Sequence, residues 1–346
     1  MRRTFASTVI LWAVLVSAES GRAESLAEVF ERVDATVVEI ATTETALSNR
    51  TGTTTQTSVR GLGSGFLISP EGLIMTAAHV VQAADEVAVR FVDGTVARAR
   101  VVSSSPAADV ALIRAEAVPS GNPVAELGDS DIVRVGDEVF VVGAPMGIAH
   151  TLTVGHVSGR RTMPTLYGGL EAAELLQTDA AINTGNSGGP MFNIDGEVIG
   201  IVSHIISSSG GSQGLGFVVT IELARRLLLE DPTPWTGLDG YLLHGDLATA
   251  LNIPGGVGVL VQRVAAGSPA ARLGLRPGSV GATIGGEQLL LGGDVILAVQ
   301  GISVASDGAA EMIRDALQAL GPSDAMTVQV LRDGQVLELA GDGARR

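Results

Sequence analysis

The sequence predicts a mainly β protein, organised as barrels or sandwiches and followed by a smaller β-rich unit that also carries helices. Three observations support this. Glycine accounts for 45 of 346 residues while aromatics make up only 3%, the balance of a chain full of tight turns. Roughly a dozen short runs of Val, Ile, Leu and Thr are punctuated by Gly, Asp and Pro. These runs follow one another without the helical stretches that a parallel βαβ sheet requires.

Taken in order, residues 1–23 have the layout of a secretory signal peptide. Arg2 and Arg3 precede an apolar run from Phe5 to Val16, and small residues follow, with exits after Ala18 or Ala23. The run is shorter than the roughly 20 residues that span a bilayer, so the expectation is an exported, soluble protein. Retention of the segment would make it a membrane anchor instead. Residues 24–230 then read as one large unit. Leu26, Val29, Phe30 and Val33 are spaced for a helix. A strand over 35–40 follows, and the Thr- and Ser-rich stretch 42–60 reads as a loop with nothing to bury.

Gly61 to Ser69, a turn at Pro70-Glu71-Gly72 and a strand over 73–76 form a hairpin that places His79 at a strand end. The glycines at 61–65 precede a strand and no helix follows, so the dinucleotide-binding reading fails its context test. Further strands are expected over 86–92, 95–102, 109–114, 139–143, 151–159, 175–178, 190–193, 197–203 and 216–219, and a helix over 220–230. Asp231-Pro232-Thr233-Pro234 reads as a linker, and residues 235–342 as the second unit.

Composition removes whole classes of chemistry. There is no cysteine, hence no thiol catalysis, disulfide or Cys-ligated zinc. All 22 basic residues are arginine, which excludes Schiff-base lysines, a phosphate-loop lysine and a Ser–Lys dyad. A formal charge of −15 weighs against nucleic acid as a partner. No cofactor is expected.

What remains is a serine. In Asn183-Thr184-Gly185-Asn186-Ser187-Gly188-Gly189-Pro190, glycines on both sides let the backbone of Ser187 approach another molecule closely. Acyl transfer needs such an exposed hydroxyl, with backbone N–H groups, here those of Gly185 and Ser187, to hold the developing oxyanion. Taken alone, the motif is as readily an ordinary turn. His79 and Asp109 change that balance. A serine becomes a nucleophile when a neutral imidazole takes its proton and a buried carboxylate orients that imidazole. His150, His156, His204 and His244 lie in no comparable context.

Thr76-Ala77-Ala78-His79, Asp109-Val110-Ala111-Leu112-Ile113 and Thr178 to Asn183 running into Gly185-Asn186-Ser187-Gly188-Gly189 resemble the HtrA/Deg family. The likeness continues through Gly200-Ile201, Ser209 to Ser212 and Gly214 to Phe217. It implies a chymotrypsin-like double β-barrel protease domain with the catalytic residues His79, Asp109 and Ser187. It also implies an oxyanion hole shaped by Gly185, Asn186 and Ser187, and a substrate strand and pocket lined by Ser203, His204, Ile205, Ile206 and Ser207. Trypsin-like specificity needs an acid six residues before the nucleophile. Ala181 stands there, so cleavage after small aliphatic residues is expected.

The second unit resembles a PDZ domain through Gly267 to Ala271, Leu273 to Gly278 and Gly293 to Gly301. Trp235-Thr236-Gly237-Leu238 would be its carboxylate loop and 309–320 the helix beside the groove, so C-terminal peptides are an expected partner. Thr236 departs from the usual apolar residue, and 279–292 is an insertion expected to cover or reshape the groove. The resemblance as a whole implies an ATP-independent serine endopeptidase that degrades unfolded or damaged envelope proteins. It further implies a homotrimer, with 49–58 and 160–170 as inter-subunit and sensor loops. The alternative is a non-hydrolytic chaperone or peptide sensor with a resting protease domain.

Overall fold

The computed structural model describes residues 24–49, 54–144, 150–163, 173–207, 211–284, 286–321 and 324–342; the signal-like segment 1–23 lies outside them. Helix α1 (Leu26–Val33) starts at Ser25. The Ser25 hydroxyl accepts from the Glu28 N–H, and Glu28 accepts from the Ser25 N–H at 2.7 Å, a reciprocal cap. Its apolar spacing puts Val29 and Val33 into the core.

Two closed six-stranded antiparallel barrels follow. The first contains β1 (Val37–Asn49), β2 (Thr54–Leu67), β3 (Leu73–Thr76), β4 (Glu86–Arg90), β5 (Val96–Ser105) and β6 (Val110–Ala115), in the order β1-β2-β3-β6-β5-β4. The second contains β7 (Glu138–Gly143), β8 (Thr151–Met163), β9 (Ala173–Thr178), β10 (Pro190–Asn193), β11 (Val198–Ile205) and β12 (Gly216–Thr220), in the order β10-β11-β12-β9-β8-β7. Closure removes exposed sheet edges.

Several strands are buried on both faces, and their alternation explains why. In β6, Ala111 and Ile113 point into the first barrel while Val110 and Leu112 point between the barrels. In β7, Val139 and Val141 fill the second barrel while Phe140 and Val142 face the first. Phe140 and Phe192 stack in that shared layer with ring centroids 5.0 Å apart. One apolar layer thus joins the barrels and fixes the cleft at their junction.

Three expectations need correction here. Residues 42–60 are not a loop: β1 and β2 pair continuously from Val37↔Phe66 to Asn49↔Thr54. Threonine suits extended backbone, and a ladder satisfies its N–H and carbonyl groups without burying side chains, so no apolar signal marked the strands. Of the proposed inter-subunit loop 49–58, Asn49 and 54–58 are strand and 50–53 lie outside the described residues. Of the proposed sensor loop, 160–163 belong to β8 and 164–170 lie outside. Arg160 is structural, bonding Glu174 at 2.8 Å and the Ser130 carbonyl at 2.9 Å.

His79 does not end a strand. It sits in helix α2 (Ala78–Val81). After helix α3 (Ile221–Arg225), a wider helical turn runs to Glu230. The linker is anchored rather than free, because the Thr233 carbonyl accepts from the Ser104 N–H at 3.1 Å and the Ser103 hydroxyl at 2.9 Å.

The last unit is built on β13 (Leu238–Leu243), β14 (Gly258–Val264), β17 (Val295–Val299), β19 (Ala325–Arg332) and β20 (Gln335–Asp342) in that order, with β18 (Ile302–Ser303) beside β17. Helices α4 (Gly245–Ala250), α5 (Pro269–Arg272) and α6 (Ala309–Gln318) pack around this sheet. The insertion is a separate hairpin of β15 (Val280–Ile284) and β16 (Glu287–Leu291). Gln262 of β14 ties it down, accepting from the Leu290 N–H at 2.7 Å and donating to the Leu290 carbonyl at 3.2 Å. The hairpin therefore leans on β14.

Candidate active site

Each member of the His–Asp–Ser set is held by a different part of the barrels. Asp109 lies just before β6, fully buried, at φ +57°, a left-handed conformation that Asp adopts more readily than most residues. Its Oδ1 accepts from the backbone N–H of His79 at 3.0 Å, and both its oxygens lie 2.9 Å from His79 Nδ1. A carboxylate only accepts, so Nδ1 carries the proton and Nε2 is left as the base. The Ser203 hydroxyl donates to the other oxygen, Oδ2, at 2.5 Å. Burial alone would lower the His79 pKa. The Asp109 charge and hydrogen bond, with a smaller contribution from Asp239, outweigh that and hold it above the ordinary histidine value.

Ser187 sits on the turn between β9 and β10. The Asn186 N–H donates to the Asn183 carbonyl at 3.0 Å and closes a turn in which Gly185 has φ +105°, the signature of type II. The Gly185 carbonyl is drawn away from the cleft by the Ser64 hydroxyl at 2.7 Å, and Ser64 Oγ in turn accepts from the Ala144 N–H at 3.0 Å. The Ser64 N–H donates to the Ser187 carbonyl at 2.8 Å, so the first barrel grips the turn at two points. A Cβ on Gly188 (φ +82°) would collide with the Ser64 carbonyl and with Thr76 Oγ1, which explains the second glycine. The Ser187 hydroxyl donates to the Ser203 carbonyl at 3.4 Å.

Of the three residues expected to shape an anion pocket, Asn186 spends its N–H inside the turn. Gly185 and Ser187 keep theirs free of internal acceptors among the described residues. Ser203, His204 and Ile205 close β11 beside the nucleophile; Ile206 and Ser207 continue past it, and 208–210 lie outside the described residues. The His204 ring stacks on Phe217 at 5.1 Å, and its Nδ1 lies 3.1 Å from Ser203 Oγ. Burial lowers its pKa. Ala181 offers only its carbonyl, which is bonded by Thr153 Oγ1 at 3.0 Å and by Asn186 Nδ2 at 3.4 Å.

The chain is similar to known proteins along most of its length. Residues 63–201 match the trypsin-like peptidase domain family and 224–340 the PDZ domain family. The HtrA-type protease AlgW, solved with a tripeptide, is 31% identical, covers 93% of this chain and 98% of its own, and superposes with a TM-score of 0.52. This chain belongs to the HtrA-type proteases. AlgW solved with a decapeptide gives the same identity and TM-score. Among curated relatives of this HtrA-type chain, the probable periplasmic serine endoprotease DegP-like of Pseudomonas putida (strain GB-1) is 38% identical over 268 residues, 75% of this chain and 55% of its own. That of Halomonas elongata is 37% identical over 284 residues, 80% and 55% respectively. The chain spans about half the length of the curated relatives it matches.

The stretch 235–238, expected from the sequence as a carboxylate loop, meets the chain just after α2. Gln82, one residue beyond α2, donates to the Leu238 carbonyl at 2.7 Å and accepts through its own carbonyl from Trp235 Nε1 at 3.1 Å. Ser104 Oγ holds the Gln82 amide oxygen at 2.6 Å. Thr236, the departure noted in the sequence, accepts from the Leu238 N–H at 3.4 Å. Sequence reasoning missed Ser64 and Gln82, and gave Ser203 only a substrate-strand role. The flanking glycines of Ser64 were a usable signal, whereas Gln82 matters only through a contact between domains.

Proposed function

We propose that this HtrA-type chain is a serine endopeptidase in which Ser187 attacks the scissile carbonyl, His79 serves as base and then acid, and Asp109 orients it. The observation that carries the reading is the buried Asp109 holding His79 by both its backbone and its ring, with Ser187 on a glycine-flanked turn at the same barrel junction. In this reading the Gly185 and Ser187 N–H groups hold the oxyanion of the acyl-transfer intermediate. The bond from Ser187 to the Ser203 carbonyl is a resting position, which the hydroxyl leaves to meet Nε2. No step uses ATP. The uncharged Ala181 supports cleavage after Val, Ala, Ile or Leu.

The names of the relatives support a periplasmic setting and polypeptide substrates, with unfolded or damaged envelope proteins as the natural class. Among the described residues, no helix is long and apolar enough to cross a membrane. C-terminal peptides fit the PDZ unit between β13 and α6, and a homotrimer is the assembly we expect. The deciding experiment is hydrolysis of unfolded casein by the protein and its Ser187→Ala variant, beside short peptides ending in Val or Arg. We expect casein and the Val peptide to be cut, the Arg peptide to be spared, and the variant to be inactive on all. Casein kept soluble but uncut by both proteins would favour the chaperone reading.

A further inference from the structure

The insertion creates a feature that the protease and PDZ readings leave unused. β14 and β16 meet through Gln262, and their outer partners β13 and β15 flank an open trough of about 810 Å³. That is within the ~300–1,000 Å³ of clefts that bury ligands. Asp239, Tyr241, Arg263, Thr283, Gln288 and Leu290 line it. No residue of α6 does, so it is not the groove between β13 and α6, although the two share β13.

The trough adjoins the catalytic histidine. Gln82 follows His79 by less than one helical turn and bonds the Leu238 carbonyl; Asp239 is the next residue. β1 closes the other side, where Glu44 meets Arg263 at 3.3 Å. Asp85 clamps the seam, accepting from the Thr45 N–H at 2.8 Å and the Ala266 N–H at 2.7 Å. Two carboxylates, Glu44 and Asp239, thus face one guanidinium, with Asp85 acting on Glu44 from beside it. Asp85 is spent on backbone and Arg263 on Glu44. Among the described residues, the Asp239 carboxyl receives no hydrogen bond. Burial raises its pKa, with Arg263 and His79 pulling the other way, as expected of a carboxylate that a further cation would stabilise.

The direction of the chemistry says what passes here. On acylation the imidazole hands its proton to the leaving amine, so the leaving half of the substrate departs past His79. Asp109 holds that ring at Nδ1, α2 with Gln82 leads on from it to the trough, and the Asp239 charge acts on it from there. We propose that the trough is the subsite for the leaving-group half of an extended polypeptide substrate, which it selects through a lysine or arginine side chain placed against Asp239. This rests on Ser187 being the acylating nucleophile.

The test uses internally quenched peptides with one acyl-side sequence and Lys, Ala or Glu at the second to fourth positions after the scissile bond. A chromogenic ester or anilide with no residues on the leaving side accompanies them. We expect kcat/KM for the Lys series to exceed that for the Glu series by about tenfold, as for a partly desolvated charge pair. Asp239→Asn should bring the ratio close to one, and Thr283→Arg, on the exposed wall of β15, should invert it. Cleavage of every peptide with a wild-type ratio near one, or with a ratio that both variants leave unchanged, overturns the proposal. Failure to cleave the chromogenic substrate would instead overturn the nucleophile reading on which it stands.

Discussion

At the scale of single residues, the site is an electrostatic arrangement around one imidazole. In the proposed mechanism His79 must be neutral to act as base, and because the Asp109 carboxylate holds its pKa above the ordinary 6.5, the acid limb of kcat/KM is expected above pH 6.5. Activity should rise with pH through that value. Asp109→Asn removes the charge that holds the imidazole up, so the midpoint should move down while the maximum collapses. A pH–rate profile of the two proteins checks both. His79, Asp109 and Ser187 were legible as candidates in the sequence because each sits in a short motif whose neighbours are dictated locally. Ser64 and Gln82 were not, since their roles exist only once β2 and α2 have been brought against other parts of the chain.

At the scale of elements, alternation did most of the predictive work and also set its limit. Strands with apolar residues on one or both faces, such as β6, β7 and β11, announced themselves. β1 and β2 extend past the core as a Thr-rich ribbon with little to bury, and pattern reading passed over them. Inside the PDZ unit, Asp294 lies just before β17 and accepts from both Arg332 Nε and Nη2 at 2.7 Å and from the Arg276 N–H at 2.8 Å. Its side chain is 1% exposed and that of Arg332 14%. Breaking a buried pair leaves an uncompensated charge, so Asp294→Ala should cost about 3–5 kcal/mol of PDZ stability. Denaturant unfolding followed by Trp235 fluorescence would register the loss, and an unchanged midpoint would contradict it.

At the scale of the whole molecule, turn chemistry and strand count pointed to barrels or sandwiches followed by a second unit and the family resemblance supplied the double barrel, but the docking of one unit on the other had no signature in sequence. It rests on a few polar contacts, chiefly those of Gln82, Asp85 and the Glu44–Arg263 pair. Surface-type ion pairs contribute little, so the side-chain amide of Gln82 should matter more than its size suggests. Gln82→Ala is expected to loosen the PDZ unit while leaving each domain folded. Small-angle scattering should then show a larger radius of gyration, and proteolysis should cut sooner near 231–234; an unchanged profile would show that other contacts suffice.

The anchored linker has a mechanical consequence. Thr233 is tied by its carbonyl to Ser103 and Ser104, and those residues end the strand that leads within a few positions to Asp109. Tension on the PDZ unit, such as a tethered polypeptide would exert, therefore has a short hydrogen-bonded route to the stretch of chain that holds Asp109.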